Sequence, residues 1–90
     1  MTKHVNIRVH GLVQGVFYRA EADKKARELG LKGFIRNEPD GTVYIEAEGE
    51  EHVIDEFIGW CYIGSPAAKV DEVKVSEGPV SGFQDFRINE

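Results

Sequence analysis

The hydrophobic pattern changes its period early in the chain, and this change most constrains the fold. Residues 4–10 alternate between apolar and polar side chains, which indicates a strand with one buried face. From Tyr18 onward the apolar residues recur at helical spacing. The segment between them contains Gly11 and Gly15 and ends with a single cation, Arg19. The sequence therefore predicts a strand, a glycine-containing loop and a helix in direct succession.

This loop predicts an anion-binding site. Gly11 and Gly15 permit a tight turn and a close approach of the backbone to a ligand. The first N–H groups of a helix have no partner inside it and lie at the positive end of its dipole. Together with the planar donors of Arg19, they suit a tetrahedral anion such as phosphate. The spacing differs from that of a nucleotide P-loop, and no long apolar segment surrounds the glycines as in a membrane helix. A glycine turn that binds nothing is the alternative.

The rest of the pattern predicts an α+β fold. The order of elements is β-α-β-β-α-β, followed by a short extra C-terminal strand. Two helices then cover one face of a single antiparallel sheet, as in the ferredoxin-like sandwich. Strands one and three should lie at the centre and strands two and four outside, while the edge that the terminal strand joins stays open. The third strand alternates cleanly, which predicts one packed and one solvated face of the sheet. The expected ranges are 3–10, 18–29, 34–37, 42–48, 49–63 and 69–76, with Phe83, Phe86 and Ile88 marking the last strand.

Composition limits the classes of function. The chain has 90 residues, which predicts a single domain spanning residues 1–90. A net charge of −5 disfavours a general nucleic-acid or anionic-membrane binder. The sequence contains no signal-peptide pattern and no transmembrane segment, so we expect a cytoplasmic protein. Cys61 is the single cysteine, which excludes an internal disulfide and indicates a buried apolar role on the second helix.

The predicted topology brings a second polar residue to the loop. Strands one and two run in the same direction, so their C-terminal ends lie at the same edge of the sheet, although strand three separates them. Asn37 ends strand two and should therefore approach the loop that carries Arg19. Taken alone, an asparagine at this point is equally explained as a turn residue that closes a hairpin.

Two segments resemble the acylphosphatase family. The loop, Gly-Leu-Val-Gln-Gly-Val-Phe-Tyr-Arg over residues 11–19, is similar to the signature loop of that family. Residues 33–37, Gly-Phe-Ile-Arg-Asn, resemble its second motif, in which the asparagine is catalytic. Residues 29–31 and 64–71 are also similar, so the resemblance covers nearly the whole chain.

Three residues depart from the family pattern. Phe34 stands where many members have tryptophan, which changes packing rather than chemistry. Tyr18 stands where phenylalanine is frequent, and the partner of its hydroxyl is not evident from the sequence. Glu38 follows Asn37 where some members have a small hydroxyl residue. Turned inward, its carboxylate would weaken anion binding, but on a hairpin we expect it to face water.

The resemblance implies an enzyme that hydrolyses acyl phosphates to a carboxylate and inorganic phosphate, without a metal or other cofactor. It implies that Arg19 and Asn37 are catalytic, with Asn37 orienting the attacking water. The residues that it implies for phosphate binding are Gln14, Gly15, Val16, Phe17, Tyr18 and Arg19. Inorganic phosphate is then both the product and a competitive inhibitor. The chain is expected to act as a monomer, with no nucleic acid or membrane as a partner.

Two other functions stay open at this point. One is a non-catalytic anion-binding or regulatory module on the same fold, which would sense an anion without turnover. The other is a related domain that works within larger maturation machinery.

The remaining ionisable residues are assigned structural roles. The three histidines are dispersed, and none stands at metal-ligand spacing from another, so neither a ligand nor a general base is expected among them. A run of acids lacks the EF-hand pattern and is explained by a solvated strand face followed by a helix start. These acids are Glu46, Glu48, Glu50 and Glu51.

Overall fold

The computed structural model, which describes residues 1–89, contains the elements in the predicted order. They are β1 (Thr2–Leu12), α1 (Tyr18–Glu28), β2 (Lys32–Asn37), β3 (Val43–Glu50), α2 (Glu51–Ile63), β4 (Lys69–Gly78) and β5 (Phe86–Ile88). The ferredoxin-like sandwich with a short C-terminal strand is thereby confirmed. Glu90, which the predicted domain includes, lies outside the described residues.

The sheet has the strand order β4-β1-β3-β2-β5. β1 and β3 are central, as predicted, and β1, β2, β3 and β4 pair antiparallel. β5 pairs parallel with β2, so the prediction of a fully antiparallel sheet was wrong, and the edge that the terminal strand joins, which the sequence left open, is that of β2. The reason is the path of the chain, which leaves β4 at one edge of the sheet and reaches the far side of β2 through residues 79–85.

The core lies between the two helices and one face of the sheet. α1 buries Tyr18, Ala22 and Ala26, the face that its spacing predicted. The two alanines are small and allow the helix backbone to approach the sheet closely. Burial raises the pKa of the Cys61 thiol on α2 to about 12, so this cysteine acts as an apolar core residue, as predicted.

The glycine at position 11 belongs to a strand. β1 continues through Gly11 to Leu12, and its register against β4 shifts between His10 and Gly11. Gly11 has a φ of 130°, and a Cβ atom at this position would collide with the carbonyl oxygen of Lys69. The prediction that Gly11 serves a tight turn at the ligand was therefore wrong, because the backbone that it approaches is that of β4. Gly15, with a φ of 75°, does lie in the loop.

The open face of the sheet is partly covered, contrary to the predicted solvated face. His4 and Glu48 on this face are each 4% exposed. Residues 79–85 cover them, since the Glu48 carboxylate accepts hydrogen bonds from the backbone N–H groups of residues 81–83. The ring of Phe83 stacks on that of His4, with 5.9 Å between centroids. Phe83 thus belongs to this cover and not to β5.

Both helices end at glycines with positive φ. Gly30, just beyond α1, has a φ of 73°, and Gly64 caps α2 with a φ of 72°. Within residues 1–89, neither helix is long and apolar enough to cross a membrane.

Candidate active site

A cavity of about 340 Å³ lies where α1 begins and β2 ends. It brings together Arg19 and Asn37, the two polar residues that the sequence placed at this edge of the sheet. The residues that line it are Val13, Gly15, Phe17, Tyr18, Arg19, Ala20, Asn37 and Ile88. Among the other residues predicted to bind phosphate, Gly15, Phe17 and Tyr18 line the cavity, whereas Gln14 and Val16 do not.

Gln14 and Val16 attach the loop to its surroundings. The Gln14 side-chain amide donates to the carbonyl oxygens of Glu38 and Thr42, at 2.8 Å and 2.9 Å. The carbonyl oxygen of Val16 accepts a hydrogen bond of 2.7 Å from the hydroxyl of Ser65, just after α2. These bonds fix the loop relative to the β2–β3 hairpin and to the end of α2.

The start of α1 leaves backbone donors without partners. Phe17, the residue before the helix, has φ 65° and ψ 17°, and no side chain among residues 1–89 caps the helix. A left-handed non-glycine residue costs about 1–3 kcal/mol, so this conformation is strained. The first helical hydrogen bond runs from the Glu21 N–H to the Phe17 carbonyl. The N–H groups of Tyr18, Arg19 and Ala20 therefore remain available to an anion, at the positive end of the helix dipole.

The side chains of Arg19 and Asn37 are also unpaired. In the described part of the chain the other four arginines form ion pairs, and Arg19 has no carboxylate partner. The carboxamide oxygen of Asn37 is buried and has no hydrogen-bond partner within residues 1–89. The ring atom Nε2 of His10 is the other such atom, and it lies outside this cavity. Because buried polar groups are seldom left unsatisfied, an unpaired amide beside a free guanidinium indicates a binding site for a polar ligand.

Comparisons with known proteins decide the family. The model of the acylphosphatase family matches residues 5–88. The chain belongs to the acylphosphatase family. An acylphosphatase of Methylococcus capsulatus is 47% identical over 87 residues, which cover 96% of this chain and 95% of the relative.

Solved acylphosphatases share the fold over almost the whole chain. The structure of an acylphosphatase from Coxiella burnetii matches with a TM-score of 0.95 and 38% identity, covering 98% of this chain and 93% of that one. The acylphosphatase from Bacillus subtilis matches with a TM-score of 0.96 and 35% identity, and both chains are covered to 100%. Family and fold together support acylphosphatase function and do not favour a non-catalytic module.

The Tyr18 hydroxyl, a departure from the usual acylphosphatase phenylalanine, has a structural partner. It donates a hydrogen bond of 2.8 Å to the carbonyl oxygen of Cys61. This carbonyl belongs to the last turn of α2, where the helix itself supplies no donor. Burial, reinforced by the charge and the side chain of the neighbouring Cys61, raises the pKa of Tyr18 above its ordinary value. The hydroxyl thus joins α1 to α2 and points away from the chemistry of the cavity.

Glu38, the acid beside the acylphosphatase asparagine, does not face water. Its side chain is only 17% exposed and lies 3.5 Å from Arg8 and 3.4 Å from Arg36. The expectation of a solvated carboxylate was wrong because these two arginines on the open face attract it. Glu38 does not line the cavity, and the charges of these two arginines offset its own.

Several residues of the acylphosphatase site were missed by sequence reasoning. The Ala20 amide follows from the helix start, since the helix leaves its third N–H unpaired as well as its first two. Ser65 stood in a segment, residues 64–71, that was recognised as similar to the family but was given no role at the site. Ile88 was missed because the edge joined by the terminal strand was open. The signal for it is the alternation of Phe86 and Ile88, which places both on the same side of the strand.

Proposed function

We propose that this chain hydrolyses acyl phosphates to a carboxylate and inorganic phosphate, with Arg19 and Asn37 as its catalytic residues. The observation that carries the proposal is the presence of the Arg19 and Asn37 side chains in one cavity at the start of α1, with the carboxamide oxygen of Asn37 lacking a partner within residues 1–89. An acyl phosphate is an anion that the Arg19 guanidinium can bind. Its phosphorus can react with a water molecule that Asn37 orients.

The chemistry needs charge stabilisation more than proton transfer. The leaving group is a carboxylate, which departs without a proton, so no general acid is required. Phosphoryl transfer through a loose transition state depends mainly on positioning and on stabilising the charge of the phosphate oxygens. In our proposal the Arg19 guanidinium and the backbone amides of residues 14–20 hold these oxygens.

Asn37 orients the nucleophile. Its carboxamide oxygen accepts a hydrogen bond from a water molecule and directs the water oxygen at phosphorus, opposite the leaving carboxylate. The bond from water to phosphorus forms, and the bond from phosphorus to the acyl oxygen breaks with its electron pair on the carboxylate. One water proton passes to a phosphate oxygen, so the products are a carboxylate and dihydrogen phosphate.

No side-chain base or metal enters this step. Within the described chain, no three residues among histidine, cysteine, aspartate and glutamate converge in a group that could hold a metal ion. The proposal also includes residues 1–90 as one catalytic domain, a monomer in the cytoplasm, and competitive inhibition by the phosphate product.

Hydrolysis of benzoyl phosphate in the presence of EDTA tests the proposal. We expect EDTA-resistant turnover by the wild type and a loss of at least about a hundredfold in kcat for Arg19→Ala and for Asn37→Ala, the scale seen when one transition-state donor is removed. Arg27→Ala is the matched control, because Arg27 lies on the same helix and pairs with Asp23 at the surface. It should change kcat by less than about twofold.

Inhibition by phosphate separates the two roles. Arg19→Ala should abolish competitive inhibition, because the anion loses its main partner, whereas Asn37→Ala should largely keep it. A wild type that binds phosphate but hydrolyses no acyl phosphate would instead establish the non-catalytic module.

A further inference from the structure

The cavity is larger than a phosphate group requires. Its volume of about 340 Å³ lies within the range of about 300–1,000 Å³ that is typical of small-molecule sites. If Arg19 and the helix amides hold the phosphate, the remaining space receives the acyl group. Apart from Arg19 and Asn37, the lining side chains are apolar, except for the Tyr18 hydroxyl, which is bound to Cys61. The acyl end of the cavity therefore offers apolar contacts and no charged partner.

One apolar side chain of this end is Ile88 on β5. Phe86 pairs with Gly33 and Ile88 with Ile35, so both side chains lie on the side of the sheet that faces the helices. Phe86 is 2% exposed in the core, whereas Ile88 is 38% exposed and lines the cavity. The Asn89 N–H donates a hydrogen bond of 2.8 Å to the Ile35 carbonyl oxygen, which holds the strand at this point.

The second apolar side chain is Phe17, whose presence is not explained by folding. Its ring is 77% exposed, so core packing does not require it. Its backbone is left-handed, a conformation that glycine adopts without strain. Phe17 and Ile88 come from distant parts of the sequence, yet both leave apolar surface exposed at the same cavity.

We infer that Phe17 and Ile88 form an acyl-binding wall, and that this wall favours apolar acyl groups larger than acetyl. This inference rests on the proposed function. A bulky apolar acyl group gains by covering these side chains, whereas a charged one would lose water there without finding a partner. Both residues contact the substrate and determine its selection, while Arg19 and Asn37 carry out the reaction.

The test compares benzoyl phosphate with acetyl phosphate in the wild type and in Ile88→Ala. The readout is the ratio of their kcat/KM values, which cancels any change common to both substrates. We expect Ile88→Ala to lower this ratio about fivefold relative to the wild type, since a half-exposed contact contributes less than a fully enclosed one. Ile63→Ala is the matched control, the same substitution at an exposed residue outside the cavity, and it should leave the ratio unchanged.

Phe17→Gly is the second variant and removes the other half of the wall without imposing strain on the loop. It should also lower the ratio, and it keeps the inference testable if Ile88→Ala fails to fold. An unchanged ratio in either folded variant, with both substrates still hydrolysed, would overturn the acyl-binding wall and leave the proposed function intact. A wild type that hydrolyses neither substrate would overturn the proposed function itself, and the acyl-binding wall with it.

Discussion

The open face of the sheet and the cavity both contain buried polar atoms, but these atoms are paired in one region and unpaired in the other. In the His4–Glu48 cluster on the open face, the Glu48 carboxylate accepts three backbone N–H groups and lies 2.6 Å from a ring nitrogen of His4. The other ring nitrogen lies 3.0 Å from both Asn6 and Glu46. In the cavity, by contrast, the Asn37 oxygen has no partner within residues 1–89.

This difference in pairing distinguishes polar groups that stabilise the fold from polar groups that remain available to a ligand. A fully paired buried network rigidifies the structure around it, and here it holds residues 79–85 against the sheet. Unpaired polar groups and a strained backbone cost stability and are typical of functional sites. Substitutions in the cluster should therefore reduce stability with little effect on chemistry, and substitutions in the loop should do the reverse.

Glu48→Ala should produce the largest change in stability. It leaves His4 with Glu46 as its remaining counter-charge and three backbone N–H groups without an acceptor, and breaking a buried pair in this way costs about 3 kcal/mol of unfolding free energy. Urea denaturation measures this loss. Glu72→Ala is the control, because its 3.8 Å pair with Lys74 is exposed and contributes less than about 1 kcal/mol. Equal losses in the two variants would show that the cluster does not stabilise the fold.

The same cluster should make stability depend on pH. Burial lowers the pKa of His4, but hydrogen bonds with Glu48 and Asn6 and the charges of Glu46 and Glu48 outweigh it, so the pKa lies above 6.5. Burial raises the pKa of Glu48, but hydrogen bonds from residues 81–83 and His4 outweigh it and hold the pKa below 4.5.

The directions of these two pKa shifts define the pH range in which the His4–Glu48 pair stabilises the protein most. The contribution of His4 is complete below pH 6.5 and is lost as the pH rises through its folded pKa, whereas that of Glu48 is complete above pH 4.5 and is lost as the pH falls through its folded pKa. The stability difference between the wild type and His4→Gln should therefore be largest between these two values. It should be smaller than the effect of Glu48→Ala, because glutamine can still donate a hydrogen bond. A difference that does not vary with pH would contradict the charged pair.

The smallest expected effect is a gain in stability, and it comes from a substitution in the loop. Phe17→Gly relieves the left-handed strain and should stabilise the protein by about 1 kcal/mol, even though it removes a large side chain. Val16→Gly is the control at the next residue, where φ is not positive, and it should destabilise by a similar amount. Thermal unfolding of both variants measures these two changes in stability. If Phe17→Gly were the less stable of the two, the loop would not be a strained region.

The fold was predictable because local patterns decide each element. Hydrophobic periods identified the strands and helices, and each helix ends next to a glycine that is visible in the sequence, at positions 30 and 64. The meeting of Arg19 with Asn37 followed from strand direction alone, since β1 and β2 end at the same edge. These features depend on residues that are close in sequence or on the order of elements.

The features that the sequence did not predict depend on distant segments. Glu48 is buried because residues 79–85 return across the sheet, and nothing in the alternation of β3 indicates this. Ile88 lines the cavity because of the same crossing, which determines the edge that β5 joins. The left-handed conformation of Phe17 has no local signal, because phenylalanine is not a residue that turns favour.

The parallel pairing of β5 with β2 also bears on how the molecule behaves when it is crowded by copies of itself. A free sheet edge can recruit a strand from another molecule, and short or charged outer strands oppose such templating. β5 is three residues long, and the opposite edge, β4, carries charged residues along its length. Without β5, the backbone of β2 would become a longer exposed edge that ends at the cavity lined by Arg19 and Asn37. We therefore expect the short terminal strand to oppose self-association at the edge of the sheet nearest this cavity.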